Sequence, residues 1–378
     1  MELMRLRILV FVWRDIHHTE RGGAGGATVN IHEQARRWVE WGHQVTMFTA
    51  RPKGQRSRDN IDGIDIYRAG GRFSVYIWAI AAYLLVLRRH ADVILDIENG
   101  IPFFTPLYSR KPTVLLMHHL HQDQFLVEMG TRIGKMGRFM ERFLVPLLYR
   151  SAAIVAVSES TARRKKAALR GGYKLEIKVI YNGLDHSLYV PGMEGCTKPA
   201  ILYLGRIKRY KRLPRLVAMM PLITESIPDA QLTIAGDGDA AGELREQVAR
   251  NGLGDAVRIV GMVSDEEKVR LLQMTWVMAT PSMNEGWGMT VLEANACGTP
   301  AVAFRVAGLD EAIIDGETGF LCDDDKEFAE VLVKVLSDKE LRERLSRAAI
   351  EWAARFDWDR TAHETLDVLR EQSNRKRA

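Results

Sequence analysis

Short, unbroken apolar runs recur along this chain, each leading into a loop and then into a stretch with helical spacing. That rhythm narrows the fold more than any other feature. Arg5–Trp13 (RLRILVFVW) holds a continuous apolar run, as expected of a parallel strand covered on both faces. The loop ERGGAGGATVN follows, Val29–Trp41 has helical spacing and stops at Gly42, and His43–Thr49 is the next strand. A strand–loop–helix–strand unit of this kind opens a doubly wound sheet. Ile61–Tyr67, Asp92–Ile97, Lys111–Met117, Ala152–Val157 and Ile177–Tyr181 read as further strands. Helices are expected at Val75–Arg89 and over Phe125–Arg150, the latter broken near Pro146.

Ser187–Lys198, with Pro191, Gly192 and Gly195 and little periodicity, interrupts the rhythm and reads as a linker. Beyond it the pattern resumes. Ala200–Leu204, Gln231–Ala235, Val257–Val260 and Trp276–Thr280 are strands; Glu266–Leu272, Glu327–Leu336 and Glu340–Phe356 are helices, and Trp358 starts a last one. At 378 residues the chain can bury two cores. The expected class is therefore α/β with two doubly wound, Rossmann-like domains.

Composition removes several function classes. The 47% hydrophobic content argues against a disordered chain. Cys196, Cys297 and Cys322 form no C-x-x-C pair, which disfavours a disulfide framework and a zinc site and fits a reducing compartment. Met1–Val12 is too short and too charged for a signal peptide, and the longest apolar run, Val75–Leu87, is short of a membrane span. A cytoplasmic location, peripheral on the inner membrane face, is the expectation. The net charge of +5 hides an asymmetry: residues 1–190 carry 28 Lys+Arg against 17 Asp+Glu, and the rest 25 against 31. The basic half is expected to meet something anionic. Within Phe125–Arg150, Met129, Ile133, Met136, Met140, Phe143 and Leu147 recur at helical spacing beside a stripe of Arg132, Lys135, Arg138 and Arg142. Two readings stand open: a helix lying on an anionic membrane, or a core-packed helix with a solvated edge. Nucleic acid is disfavoured, because no helix-turn-helix, zinc finger or interleaving of aromatic with basic residues is visible.

Candidate site residues gather at strand ends. Residues 281–300 (PSMNEGWGMTVLEANACGTP) carry the densest set. Gly286 and Gly288 let backbone N–H groups approach a ligand, and a helix beginning at Met289 offers its N-terminus to an anion. Glu285 before that helix and Glu293 within it suit the hydroxyls of a sugar, so the corner suits a nucleotide sugar. Gly205 allows a turn from which Arg206 and Lys211 project, and two cations with N–H groups suit a diphosphate. Lys111–Met117 runs into His118-His119-Leu120-His121-Gln122-Asp123, at the end of a parallel strand where such sheets bind ligands. No second cluster supplies further metal ligands. Asp237-x-Asp239 and Asp323-Asp324-Asp325 read as turns and helix starts. A nicotinamide-dependent oxidoreductase is disfavoured, since Gly23-Ala24-Gly25 lacks the third glycine of G-x-G-x-x-G and its loop is too long.

These motifs together resemble the retaining glycosyltransferases of family 4. Glu285 and Glu293 match that family's E-x7-E carboxylates, and Ala301–Leu321 (AVAFRVAGLDEAIIDGETGFL) resembles the segment that follows them. Gly25-Gly26 and Gly42-His43 fit its first-domain pattern, Ser158-Glu159 its "SE", and Phe356-Asp357-Trp358 its "F-x-W" before a helix returning to the first domain. His118, or His119 one residue on, matches its histidine near the donor sugar. Arg206 and Lys211 fit its G-R-x4-K, although Arg209-Tyr210 replace the usual acidic residue or proline and leave Lys208 or Arg209 as substitutes.

The resemblance implies a GT-B fold with two domains facing across a cleft: an acceptor-side domain 1–186, a linker 187–199, a nucleotide-sugar domain 200–356 and a returning helix 357–378. It implies a retaining, metal-independent transfer of a hexose from a UDP- or GDP-linked donor, with no cofactor besides that co-substrate. The implied catalytic set is His118, Arg206, Lys211 and Glu285. The implied donor contacts are Gly25, Gly26, Arg206, Lys211, Glu285, Gly286, Trp287, Gly288 and Glu293. The expected acceptor is lipid or lipid-linked. Alternatives are a soluble acceptor, an epimerase of the same fold, or a non-catalytic sugar-nucleotide binder.

Overall fold

The computed structural model describes residues 5–18, 25–168, 176–192 and 198–375. Gly23, Ala24 and Cys196 lie outside the described residues. The chain divides into two compact units, Met1–Gly183 with Trp358–Ala378, and Leu184–Asp357.

In the first unit the elements run β1 (Arg7–Phe11), α1 (Gly26–Glu40), β2 (Gln44–Thr49), β3 (Arg58–Ile61), β4 (Ile64–Arg68), α2 (Val75–Leu85), β5 (Val93–Glu98), β6 (Thr113–Met117), α3 (Gln122–Phe139), α4 (Val145–Leu148), β7 (Ala153–Ala156), α5 (Glu159–Ala168) and β8 (Ile177–Val179). The sheet order is β3-β4-β2-β1-β5-β6-β7-β8. All pairs are parallel except β3–β4. The continuous apolar run of β1 is explained directly, since Ile8, Leu9, Val10 and Phe11 are all fully buried between two helical layers. Sheet order reverses between β1 and β5, the point where α/β sheets open a crevice at their strand ends.

The second unit runs β9 (Ala200–Leu204), α6 (Leu213–Ser226), β10 (Gln231–Ala235), α7 (Ala241–Arg250), β11 (Val257–Gly261), α8 (Asp265–Met274), β12 (Val277–Thr280), α9 (Met289–Ala296), β13 (Ala301–Phe304), α10 (Leu309–Ala312), β14 (Gly319–Cys322), α11 (Asp325–Ser337) and α12 (Lys339–Ala353). Its parallel sheet has the order β11-β10-β9-β12-β13-β14, so the reversal falls between β9 and β12. The chain ends in α13 (Trp358–Arg375), which belongs to the first unit. There the Trp38 indole donates to the Ala362 carbonyl at 2.9 Å, and Trp41 stacks on His363 with centroids 3.9 Å apart.

Four readings of the sequence change. Ile61–Tyr67 is not one strand but the turn and second arm of the β3–β4 hairpin: Asp62 and Gly63 both take positive φ, 52° and 77°, as a two-residue hairpin turn demands. α1 begins at Gly26, three residues earlier than its apolar spacing suggests, because Gly25 serves as its N-cap. The helix expected to break near Pro146 instead continues through a π-turn over Met140–Leu144 into α4, with Pro146 in the first turn of that last segment, and the backbone leaves helical geometry at Gly130 (φ 71°, ψ 175°) inside α3. The units divide at Gly183/Leu184 rather than after residue 186, because Leu184 and Tyr189 are core residues of the second unit.

Candidate functional site

The reversal point of the second sheet collects the charged residues singled out above. β9 delivers the loop Gly205–Lys211, and its neighbour β12 delivers the loop Pro281–Gly288. Lys211 closes a 3-10 turn ahead of α6, and its ammonium donates to Glu285. Burial alone would lower the Lys211 pKa; Glu285 beside it, with Tyr210 and Tyr203, reverses this and holds it above its ordinary value. The ammonium therefore stays charged although only 14% exposed. The Arg206 guanidinium donates to Tyr210 Oη at 3.3 Å, so Arg206, Tyr210, Lys211 and Glu285 form one continuous group. Lys208 and Arg209 turn away, to Asp239 at 2.6 Å and Glu243 at 2.7 Å.

Two glycines fix this geometry from behind. Gly308 has φ 84°, and a Cβ there would stand 2.5 Å from the Glu285 carbonyl oxygen. Gly236 follows β10 with φ 143°, and a Cβ would meet the Gly205 carbonyl oxygen at 2.0 Å. The Gly236–Asp239 segment is thus a turn packed against the Arg206 loop, and Asp239 takes Lys208 as its partner. Asp324 caps α11 by accepting the Glu327 N–H at 2.9 Å.

Glu293 belongs to a second group. It sits on α9, buried, and its Oε1 receives the Lys268 ammonium at 2.9 Å and the Tyr189 hydroxyl at 3.1 Å. Oε2 is buried and has no hydrogen-bond partner among the described residues. A buried carboxylate oxygen left unmatched is costly unless a ligand completes it. Lys268 and Tyr189 were not found from the sequence: they come from α8 and from the segment expected to be linker, and no spacing relates them to Glu293. Trp287 is buried and packs edge-on against Phe356 with centroids 5.3 Å apart, so its ring serves the packing of the unit and the loop presents its backbone. Gly288, in the left-handed region at φ 74°, is the N-cap of α9.

In the first unit, Gly25 as N-cap, with no side-chain cap hydrogen bond, and Gly26 form the N-terminus of α1, after β1. His118 follows β6 directly, its backbone N–H donating to the Glu98 carbonyl at 3.2 Å. Burial, with His121 nearby, pushes its pKa down to about 3, so the ring is neutral, and its Nε2 has no hydrogen-bond partner among the described residues. His119 stacks on His121 at 4.0 Å, and His121 in turn stacks on Phe125. Glu98, at the end of β5, is fully buried, and burial, eased by Lys165, moves its carboxyl up to about 7. Among the described residues no group of three or more His, Cys, Asp and Glu side chains is arranged to hold a metal ion.

Comparison with known proteins supplies the family. Residues 24–188 match the model of Glycosyltransferase Family 4, and residues 194–352 that of Glycosyl transferases group 1. A D-inositol 3-phosphate glycosyltransferase of Corynebacterium urealyticum is 32% identical over 97% of this chain and 95% of its own. Among solved structures, sucrose-phosphate synthase from Thermosynechococcus elongatus superposes with a TM-score of 0.84 at 19% identity, covering 96% of this chain and 98% of that one. Anabaena HepE, solved with UDP-glucose, gives 0.76 at 18% identity over 97% and 100%. Two doubly wound units, and a relative of this similarity along nearly the whole chain, place the protein in glycosyltransferase family 4, as an enzyme of the GT-B fold.

Proposed function

We propose that this enzyme transfers a hexose from a nucleotide-diphosphate sugar with retention of configuration and without a metal. The observation that carries the reading is the convergence of Arg206, Lys211 and Glu285 at the strand-order reversal of the second unit. The donor's diphosphate takes the place beside Arg206 and Lys211, whose fixed charges stabilise the negative charge that grows as the bond between the sugar's anomeric carbon and the phosphate oxygen breaks. Two preplaced cations supply what a divalent ion supplies elsewhere. Glu285 lies against the sugar, the Gly286–Gly288 backbone donates to phosphate or sugar, and Glu293 Oε2 accepts from the ribose hydroxyls. The acceptor oxygen forms the new bond from the leaving-group side, and its proton passes to the departing diphosphate, so no separate general base is required. His118, neutral at pH 7, acts as a hydrogen-bonding group rather than an acid.

UDP is the first donor nucleotide to test, since HepE was solved with UDP-glucose. The favoured acceptor is lipid or lipid-linked and presented at an anionic membrane. A second reading, a soluble polyol phosphate acceptor, is favoured by the name of the Corynebacterium relative. Calorimetric titration of UDP, GDP and ADP into wild type and Glu293→Ala tests the donor site. One diphosphate should bind and weaken about tenfold in the variant, the loss of one charged hydrogen-bond partner. A folded protein that binds none of the three sinks the reading.

A further inference from the structure

Of the stripe that the sequence left open between core and surface, Ile133, Met136, Phe143 and Leu147 are exposed and Met129 and Met140 half-buried, and it does not stand alone. Parallel register puts Phe11, Asp96, Leu115 and Ile154 in one row across β1, β5, β6 and β7, and residues in one row share a face. α2 packs on that face through Val75, Ala79 and Tyr83 over Phe11, and α4 through Val145 over Leu115 and Ile154. Both helices therefore lie in one layer of the first unit.

The outer surface of this layer is apolar where it should be polar. α2 exposes Ile77 at 72% and Leu85 at 83%, with Trp78 between them, while its inner face is filled by small and aromatic residues. The α3–α4 segment exposes Phe139 and Phe143. The chain between β5 and β6 touches both helices: Tyr76 of α2 donates to the Ile101 carbonyl at 3.2 Å and Tyr83 meets Ser109 at 2.6 Å, while Phe104 packs against the cluster that holds Val145 and Tyr149 at α4. Buried Asp96 pins this bridge by accepting the N–H groups of Phe103 and Thr105, and Leu107 projects from it, 65% exposed. Helix, bridge and helix thus each bare large apolar side chains on the same layer, a concentration that marks an interaction surface rather than the singly scattered apolar residues of an ordinary exterior.

Charge identifies what covers it. Residues 72–90 contain Arg72, Arg88 and Arg89 and no Asp or Glu, and α3 adds Arg132 and Lys135, both exposed. Apolar side chains framed by cations are the pattern of a surface that seats in the headgroup region of an anionic bilayer. We propose that the α2 face, the Leu107 bridge and the α3–α4 face together form a docking surface for anionic phospholipid. This deepens the membrane-side reading above, but it stands apart from the donor chemistry, since docking needs neither donor nor acceptor.

Co-sedimentation with vesicles of phosphatidylglycerol and phosphatidylcholine, against phosphatidylcholine alone, tests it. Wild type should pellet with the anionic vesicles. Binding should fall at least tenfold in Ile77→Glu/Leu85→Glu and in Arg88→Glu/Arg89→Glu, and weaken with salt. Calorimetric nucleotide binding by each variant shows that it is folded and keeps the donor reading separate. Absence of vesicle binding by wild type overturns the proposal. So does a concentration-dependent dimer, seen by sedimentation equilibrium, that Ile77→Glu/Leu85→Glu dissolves, because the face would then belong to a second copy of the chain.

Discussion

At the scale of single residues, the site is a matter of which charges are held ready. Lys211 is buried beside Glu285 and stays an ammonium. Its truncation should cost turnover rather than folding: Lys211→Ala is expected to lose on the order of 10²–10³ in kcat, the scale found for one fixed donor at a developing negative charge, and steady-state kinetics would read it. A variant with intact turnover would remove Lys211 from the mechanism. Lys268 acts through Glu293, so Lys268→Met should weaken diphosphate binding roughly tenfold, as loss of a buried charge partner's orientation would, while Lys268→Arg restores it. His118 predicts a pH effect whose sign is fixed. Its folded-state pKa, near 3, lies below the ordinary value of 6.5, so the unfolded chain binds the extra proton between those limits. Stability is therefore undiminished above pH 6.5 and is lost as pH falls from there toward 3. Melting curves at pH 7 and pH 5 should show a smaller drop for His118→Asn than for wild type. That Arg206, Lys211, Glu285 and His118 follow apolar strands was legible in the sequence, and the resemblance to family 4 singled them out from their neighbours. Lys268 and Tyr189 were not, because only tertiary packing brings them to Glu293.

Elements tell the same story in backbone terms. Most strands were readable because both sheets, apart from the β3–β4 edge, are parallel and buried, which writes a strand as an apolar run. β3, just ahead of the Ile61–Tyr67 reading, went unread because it is an exposed edge with charged residues, and only the Asp62-Gly63 turn marks it. The stripe on α3 showed its period but not its environment, since an apolar face reads alike whether buried or bare. Loops at the reversal point depend on glycines that no side chain can replace. Gly308→Ala must hold φ 84° and find room 2.5 Å from the Glu285 carbonyl. It should destabilise by about 1–3 kcal/mol and depress kcat through the displaced Glu285 loop. Gly242, inside α7 with nothing within 4 Å of a Cβ, gives the opposite sign: Gly242→Ala should stabilise by roughly 0.5–1 kcal/mol and leave kinetics unchanged. Paired melting curves and kinetics on the two variants check both.

For the molecule as a whole, the decisive fact is that the chain leaves the first unit at Gly183 and returns to it at Trp358. The return is structural. α13 buries Trp358, Leu366 and Leu369, covers α1 where Trp38 and Trp41 meet Ala362 and His363, and ties its far end to Ser151 through Gln372. Deleting residues 358–378 therefore strips one packed helix from the first sheet and from α1, and leaves a buried tryptophan without its hydrogen-bond partner. The second unit keeps its apolar clusters around Leu216 and Met278 and all of Arg206, Lys211, Lys268, Glu285 and Glu293. Scanning calorimetry of the full chain should resolve the consequences. Saturating nucleoside diphosphate, at about 100 times its Kd, should raise the transition of the second unit by a stabilisation of roughly 2.7 kcal/mol. In the truncated chain the transition of the first unit should fall sharply or vanish, while the ligand-responsive one remains. A truncated chain that loses diphosphate binding altogether would show that the donor site depends on more than the 184–357 unit, and would move the search for its missing contacts to residues outside it.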